Sequence, residues 1–136
     1  MSRLENKVAI ITGAAQGMGE SHARRFVAEG AKVVLTDLNE EKGQALATEL
    51  GENAVFVKQN VTSEEDWATV LATAEEKFGP VNVLVNNAGI SVNKFMLDMS
   101  VEEYRRIVDI NQVSVFIGMK TVAPSMAKAG GGSIVN

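Results

Sequence analysis

Two kinds of apolar pattern alternate along this chain. The first kind is a short, nearly continuous apolar run, typical of buried parallel strands, and it occurs at 8–11, 32–37, 54–57, 81–85 and 133–136. The second kind is a longer segment with apolar residues at helical spacing, and it occurs at 20–28, 39–50, 62–78 and 101–127. The alternation predicts strands and helices in regular succession.

Start and stop signals support the predicted helices. Gly30 and Gly51 follow helical segments, at the position where glycine commonly ends a helix. Capping boxes at Thr62–Glu65 and Ser100–Glu103 predict the starts of the last two helices. Pro124 is predicted to end or kink the last one, because proline lacks the N–H that a helix interior needs.

The segment 101–127 carries two apolar stripes. The first stripe consists of Tyr104, Val108, Val115, Met119 and Val122. The second consists of Ile107, Ile110, Val113 and Ile117. One stripe can cover a sheet, while the other needs a further partner. We therefore expect Tyr104 in the core and a homodimer or homotetramer formed through the helix 101–127.

Strands that alternate with helices predict an α/β fold, in which right-handed crossovers build a parallel sheet with helices on both faces. We expect a Rossmann-type doubly wound sheet, one partial domain over residues 1–136 that stops after the start of strand five. In such sheets the ligand lies outside the carboxyl ends of the strands, where strand order reverses. The residues that follow the strands are therefore the candidate site.

Composition excludes several classes of function. The net charge of −4 offers no basic field for a nucleic acid. The chain has no cysteine and one histidine, His22, so no metal cluster built on these residues is expected. No apolar run is long enough to cross a bilayer, and no signal peptide precedes the first strand. We expect a cytoplasmic protein that acts on a small molecule.

The first strand runs into a glycine turn, Thr12-Gly13-Ala14-Ala15-Gln16-Gly17-Met18-Gly19, and then into a helix. Gly13 would make the turn, Gly17 would let the backbone approach a pyrophosphate, and Gly19 would let helix and strand pack closely. The helix N-terminus favours a phosphate. A P-loop is excluded because no Lys-Ser/Thr follows the glycines. Alone, this turn fits a ligand or a purely structural role equally well.

Asp37 is the second element, because it ends the second strand eighteen positions after Gly19. A carboxylate there can accept both ribose hydroxyls of an adenosine. A 2′-phosphate near Asp37 would meet a repulsion of about 4 kcal/mol at 4 Å and an effective dielectric constant of 20. The neighbouring residues supply no Arg or Lys to offset it, so NAD is preferred to NADP. The alternative for Asp37 is a helix cap or turn acid.

Taken together, these features resemble the short-chain dehydrogenase/reductase family over essentially the whole chain. The matching features are Thr12 to Gly19, Asp37, Asn60-Val61, Asn86-Asn87-Ala88-Gly89, Asn111 and the Gly-rich entry to Ser133-Ile134-Val135-Asn136.

The resemblance implies a site for the cofactor NAD. It would place the pyrophosphate at Gly13, Gln16, Gly17, Met18 and Gly19, and the adenosine ribose at Asp37 and Leu38. It would place the adenine at Asn60 and Val61, and the nicotinamide-side ribose at Asn87, Ala88, Gly89 and Ile90. Asn60 stands where most members have Asp, and its amide oxygen is expected to accept from the adenine amino group.

The resemblance also assigns catalytic parts. Asn111 matches the helix asparagine that anchors a water in the family's proton relay; the alternative is a polar residue that satisfies backbone at a helix irregularity. The family's catalytic Ser and Tyr-x-x-x-Lys do not occur in this sequence, where Val108 stands four residues after Tyr104, the only tyrosine. The chain as written is therefore expected to be inactive by itself.

Three functions remain open. The leading hypothesis is the cofactor-binding half of an NAD-dependent oxidoreductase that interconverts a secondary alcohol and a ketone. The second is a non-catalytic NAD-binding module complete at 136 residues. The third is a methyltransferase, which also uses a glycine turn and an acid after strand two, although the asparagines from Asn86 to Asn111 argue against it.

Overall fold

The computed structural model describes residues 2–136. Its strands are β1 Val8–Thr12, β2 Lys32–Asp37, β3 Ala54–Lys58, β4 Val83–Val85 and β5 Ser133–Val135. Its α-helices are α1 Gly17–Ala28, α2 Glu40–Leu50, α3 Glu64–Phe78, α4 Val101–Val108 and α5 Ser114–Lys128. A π-helical turn, Asp109–Val113, joins α4 to α5, and short 3-10 turns lie at Gly51–Asn53 and Met96–Asp98.

The five strands form one parallel sheet in the order β3-β2-β1-β4-β5. Ile10 of β1 pairs with Val34 of β2 on one side and with Leu84 of β4 on the other. The chain therefore builds outward from β1 to β3 and then crosses to the far side of β1. This confirms the α/β, Rossmann-type doubly wound fold and puts the reversal of strand order between β1 and β4.

Each face of the sheet is covered by two long helices. On one face, Ala9, Ile11, Val33 and Leu35 pack against α1 and α2. On the other face, Val8, Ile10, Val34 and Leu84 pack against α3 and α5, with Trp67 of α3 completely buried. Alternate residues of the same strands supply the two faces, as the two-residue period of a strand requires.

Two helix starts differ from the sequence prediction. Helix α1 begins at Gly17 and not at Glu20, because Gln16 is the extended N-cap and the glycines already form the first turn. The predicted capping box at Thr62–Glu65 is wrong: Ser63 is the cap, and its Oγ accepts from the Asp66 N–H at 3.1 Å. The Thr62 hydroxyl instead donates to Asn60 Oδ1. The second capping box, Ser100–Glu103, is confirmed.

The last predicted helix is not one regular α-helix. The π turn inserts extra backbone between α4 and α5, so residues before and after it no longer share a face. Tyr104 is consequently 61% exposed, which makes its assignment to the core wrong, while Val122 of the same predicted stripe is fully buried. Pro124 does not end the helix, because α5 continues through it to Lys128.

Candidate functional site

The turn between β1 and α1 needs its glycines for different reasons. Gly13 and Gly17 have φ values of +62° and +61°, a region that other residues rarely adopt. A Cβ on Gly19 would stand 2.1 Å from the Gly13 carbonyl oxygen, so only hydrogen fits there. A Cβ on Gly17 would meet no atom within 4 Å, so its bare backbone faces open space.

The N-terminus of α1 has no side-chain cap. Gln16 is its N-cap residue and makes no capping hydrogen bond. The caps of α2, α3 and α4, by contrast, each accept a backbone N–H through their side chains. The first N–H groups of α1 are therefore left for another acceptor, and the positive end of the helix dipole favours an anionic one.

Thr12 joins the end of β1 to the segment after β4. Its buried Oγ1 accepts from the Asn87 N–H at 3.1 Å and from the Ala88 N–H at 3.0 Å. The side-chain nitrogen of Asn87, Nδ2, donates to the carbonyl oxygens of Thr12 and Gly13, at 3.0 and 3.1 Å. The Asn87 side chain thus holds the glycine turn in shape. The sequence pattern predicts Thr12 only as part of the turn, because its partners lie far away in the chain.

Asp37 presents an oriented carboxylate at the end of β2. Its Oδ2 accepts from the Ala15 N–H at 3.1 Å, and its Oδ1 accepts from the Asn39 N–H at 2.9 Å. Each carboxylate oxygen keeps a second lone pair for a ligand hydroxyl. Asp37 therefore does act as a turn acid, the predicted alternative, and the same two hydrogen bonds fix the direction of its carboxylate.

Asn60 is arranged differently from the expectation. Its Oδ1 accepts from the Thr62 N–H at 3.1 Å and from the Thr62 hydroxyl at 2.8 Å, while its own N–H donates to Asp66 Oδ2 at 2.7 Å. Both lone pairs of the amide oxygen are thereby used inside the chain. This corrects the expectation that the oxygen is free for an adenine amino group, because the local turn around Thr62 already engages it.

Asn111 lies in the π turn and is bonded to the loop after β4. Its Oδ1 accepts from the Ile90 N–H at 2.8 Å, and its Nδ2 donates to the Ile90 carbonyl at 2.7 Å. The Ser114 hydroxyl donates to the Ile110 carbonyl within the same turn. Asn111 therefore fixes the position of Ile90. Its predicted part in a proton relay stays a prediction.

These elements enclose a cleft of about 400 Å³ at the carboxyl ends of the strands. Its lining residues are Gly13, Gln16, Gly17, Met18, Asp37, Leu38, Gln59, Asn60, Val61, Asn87, Ala88, Gly89, Ile90, Arg106 and Ile110. Every predicted cofactor-binding residue except Gly19 is in this set. Gly19 packs behind the turn, and Asn111 supports Ile90 from outside the cleft.

Three lining residues were missed by sequence analysis. Gln59 is 2% exposed, and neither of its amide atoms has a hydrogen-bond partner within residues 2–136. Arg106 and Ile110 come from α4 and the π turn, which follow the other lining segments in the chain. No local motif marks these two positions, because packing of the helix over the sheet brings them to the cleft.

The loop that borders the cleft after β4 is tied to the start of α4. Lys94 Nζ donates to both carboxylate oxygens of Glu103, at 2.8 and 3.0 Å. Lys94, together with the Ser100 N–H, lowers the pKa of Glu103 to about 2. Among residues 2–136 no cluster of acids and histidine is arranged to hold a metal, and no helix is long and apolar enough to span a membrane.

Comparison with known proteins gives a consistent family. A short chain dehydrogenase model matches residues 7–136. A 3-alpha-(or 20-beta)-hydroxysteroid dehydrogenase of Mycobacterium tuberculosis is 46% identical over 134 residues, which are 98% of this chain and 52% of that protein. A 3-beta-hydroxysteroid dehydrogenase of Comamonas testosteroni is also 46% identical, over 99% of this chain and 53% of that protein. An NADP-dependent (R)-specific alcohol dehydrogenase of Lentilactobacillus kefiri is 42% identical, over 98% and 54%. The chain spans about half the length of the curated relatives it matches.

Proposed function

This chain belongs to the short-chain dehydrogenase family, and from that membership we propose that it binds NAD as the cofactor-binding half of an oxidoreductase. The reaction we propose for the whole protein is the interconversion of a secondary alcohol and a ketone. Two similar proteins are named for hydroxysteroids and one for alcohols, which supports an alcohol substrate.

The observation that carries the proposal is the fit between the cleft and a dinucleotide. The uncapped start of α1 and the open space at Gly17 suit a pyrophosphate, which needs N–H donors and a close approach of the backbone. Asp37 is held by two backbone N–H groups with lone pairs to spare for the two ribose hydroxyls. When bound, the nicotinamide supplies the hydride acceptor or donor.

In this proposal the residues of this chain bind and orient the cofactor, and the proton transfer needs other residues. Asn87 and Thr12 hold the glycine turn, and Asn111 holds Ile90 at the cleft wall. The Ser and Tyr-x-x-x-Lys of the family pattern would supply the acid/base group. A gene sequence that continues beyond Asn136 with those residues is the expected result. A continuation without them would remove the catalytic proposal.

Asp37 supports NAD over NADP, because a 2′-phosphate would lie beside a carboxylate that the backbone already holds in place. The similar NADP-dependent alcohol dehydrogenase makes this a necessary measurement. We expect Asp37→Ala to weaken NAD binding by about 10- to 100-fold, since each hydrogen bond to a charged group contributes about 1.5–3 kcal/mol. NADP binding should be unchanged or improved, because the repulsion is removed.

Titration of the chain with each nucleotide, followed by the emission of Trp67, measures both affinities. Asp98→Ala is the matched control, because it removes an exposed carboxylate that does not line the cleft. An equal loss of NAD and NADP affinity in Asp37→Ala would contradict the preference. Failure of the unaltered chain to bind either nucleotide would contradict the cofactor proposal itself.

The second candidate is an NAD-binding module without catalysis. It predicts the same affinities but no continuation of the gene with catalytic residues. A methyltransferase is not retained, because the chain belongs to a family of dehydrogenases.

The exposed side chains of the segment 101–127 support our proposal that the protein assembles into a homodimer or homotetramer. Val101 and Tyr104 of α4 and Phe116 of α5 are 65%, 61% and 59% exposed, so each of the two helices has apolar side chains that a partner subunit would cover. Light scattering of the full-length protein should give at least twice the mass of one chain. A monomer at dilute concentration would refute this assembly.

A further inference from the structure

One cationic side chain borders the cleft in the part of the chain that the structure describes. Arg106 of α4 is exposed and lines the cleft. The ion pairs of the described residues use Arg3, Arg24 and Arg25 but leave the Arg106 guanidinium without a partner. A guanidinium without a protein partner at the wall of a binding cleft is available to a ligand.

A second depression adjoins the cleft and shows at which end of the cleft Arg106 lies. Leu38, Asn60, Arg106 and Ile110 line both the cleft and this depression. Asp37 and the glycine turn line the cleft alone. Arg106 therefore stands at the end formed by Leu38 and Asn60, beyond the carboxylate proposed to hold the ribose.

We propose that Arg106 is a base-stacking residue, whose planar guanidinium lies against the face of the adenine ring. This rests on the proposed NAD site, since the base end of the cleft is defined by Asp37 and Asn60. Arginine stacks on aromatic rings through its flat, weakly hydrated cation. Ile110, four residues later and also at the cleft wall, adds an apolar contact for the same ring.

The same guanidinium would instead bind a 2′-phosphate if it lay beside the ribose. Two observations favour the base. The 2′-oxygen belongs next to Asp37, which does not line the depression that Arg106 shares. Glu102 and Asp109 also line that depression, so their carboxylates balance the charges of Arg105 and Arg106 and leave no net positive charge to attract a phosphate. Stacking depends on the plane of the guanidinium and is less sensitive to those charges.

The experiment compares three probes on the chain: NAD, NADP and nicotinamide mononucleotide, which lacks the adenine. Calorimetric titration of Arg106→Leu should show NAD and NADP affinities lowered by the same factor, about 3- to 30-fold, with mononucleotide binding unchanged. Arg106→Lys keeps the charge without the plane and should lose at least twofold. Arg105→Leu is the matched control, because Arg105 lines the neighbouring depression and not the cleft.

The outcomes separate this inference from the function on which it rests. A loss confined to NADP would assign Arg106 to the 2′-phosphate and overturn stacking. An equal loss of NAD affinity in Arg105→Leu would mean that any nearby positive charge has the same effect, and it would overturn the stacking role. A loss of mononucleotide affinity in Arg106→Leu would also overturn that role, because the mononucleotide has no adenine. Unchanged NAD affinity in both Arg106 variants would overturn the stacking role of Arg106 but would not affect the proposed NAD site. If the unaltered chain does not bind NAD, the proposed function itself is contradicted.

Discussion

Replacing Thr12 by valine tests the connection between the glycine turn and the segment after β4. The two side chains have nearly the same shape, and Thr12 is 1% exposed, so burial alone predicts a neutral or stabilising effect. The hydroxyl, however, accepts the N–H groups of Asn87 and Ala88. The Asn87 N–H also donates to the Val85 carbonyl at 3.0 Å and keeps that acceptor, whereas valine leaves the Ala88 N–H without one.

The expected cost follows from the Ala88 N–H. A buried N–H left unsatisfied costs about 1–3 kcal/mol, and Ala88 is only half-buried, so the lower part of that range applies. Thr12→Val should lower the free energy of unfolding by about 1–2 kcal/mol. Thr12→Ser is the control: it keeps the hydroxyl and loses one methyl group, at about 1 kcal/mol.

Urea unfolding followed by the emission of the buried Trp67 gives both values from the transition midpoints. The valine variant should be less stable than the unaltered chain, whereas hydrophobic burial alone predicts an equal or higher stability. A valine variant as stable as the unaltered chain would refute the role of the hydroxyl.

Three further predictions concern single side chains. Gly19→Ala should destabilise the fold more than Gly17→Ala in thermal melting. A Cβ on Gly19 would stand 2.1 Å from a backbone oxygen, whereas a Cβ on Gly17 meets only the strain of its φ of +61°. Equal effects would contradict this. Gln59→Leu should raise the ligand-free unfolding free energy by about 1–3 kcal/mol, because the buried amide has no partner within residues 2–136; a loss in urea unfolding would show a missed bond. The pKa of Glu103 is lowered to about 2, so its stabilising pair with Lys94 is present above pH 4.5 and is lost as pH falls toward 2. The stability difference between the unaltered chain and Glu103→Gln should shrink over that window, and a constant difference would exclude the linkage.

The strands and most of the helices were predictable from the sequence because their signals are local. The apolar runs, the Ser100–Glu103 capping box and the glycine turn each lie within a few consecutive residues, and the structure has them at those places. Local signals failed where two of them competed. Ser63 and Thr62 are both possible caps, and only the bond from Thr62 to Asn60 decides between them.

The sequence by itself determined the order of the elements, the fold class and nearly all residues of the cleft, since each follows the end of a predicted strand. Only the tertiary structure decided how those residues are held and what else joins them. Thr12 meets Asn87 across 75 positions, and α4 brings Arg106 to the far end of the cleft. Such contacts leave no periodic or motif signal, because they depend on which strands become neighbours and on how a π turn rotates one helix against the next.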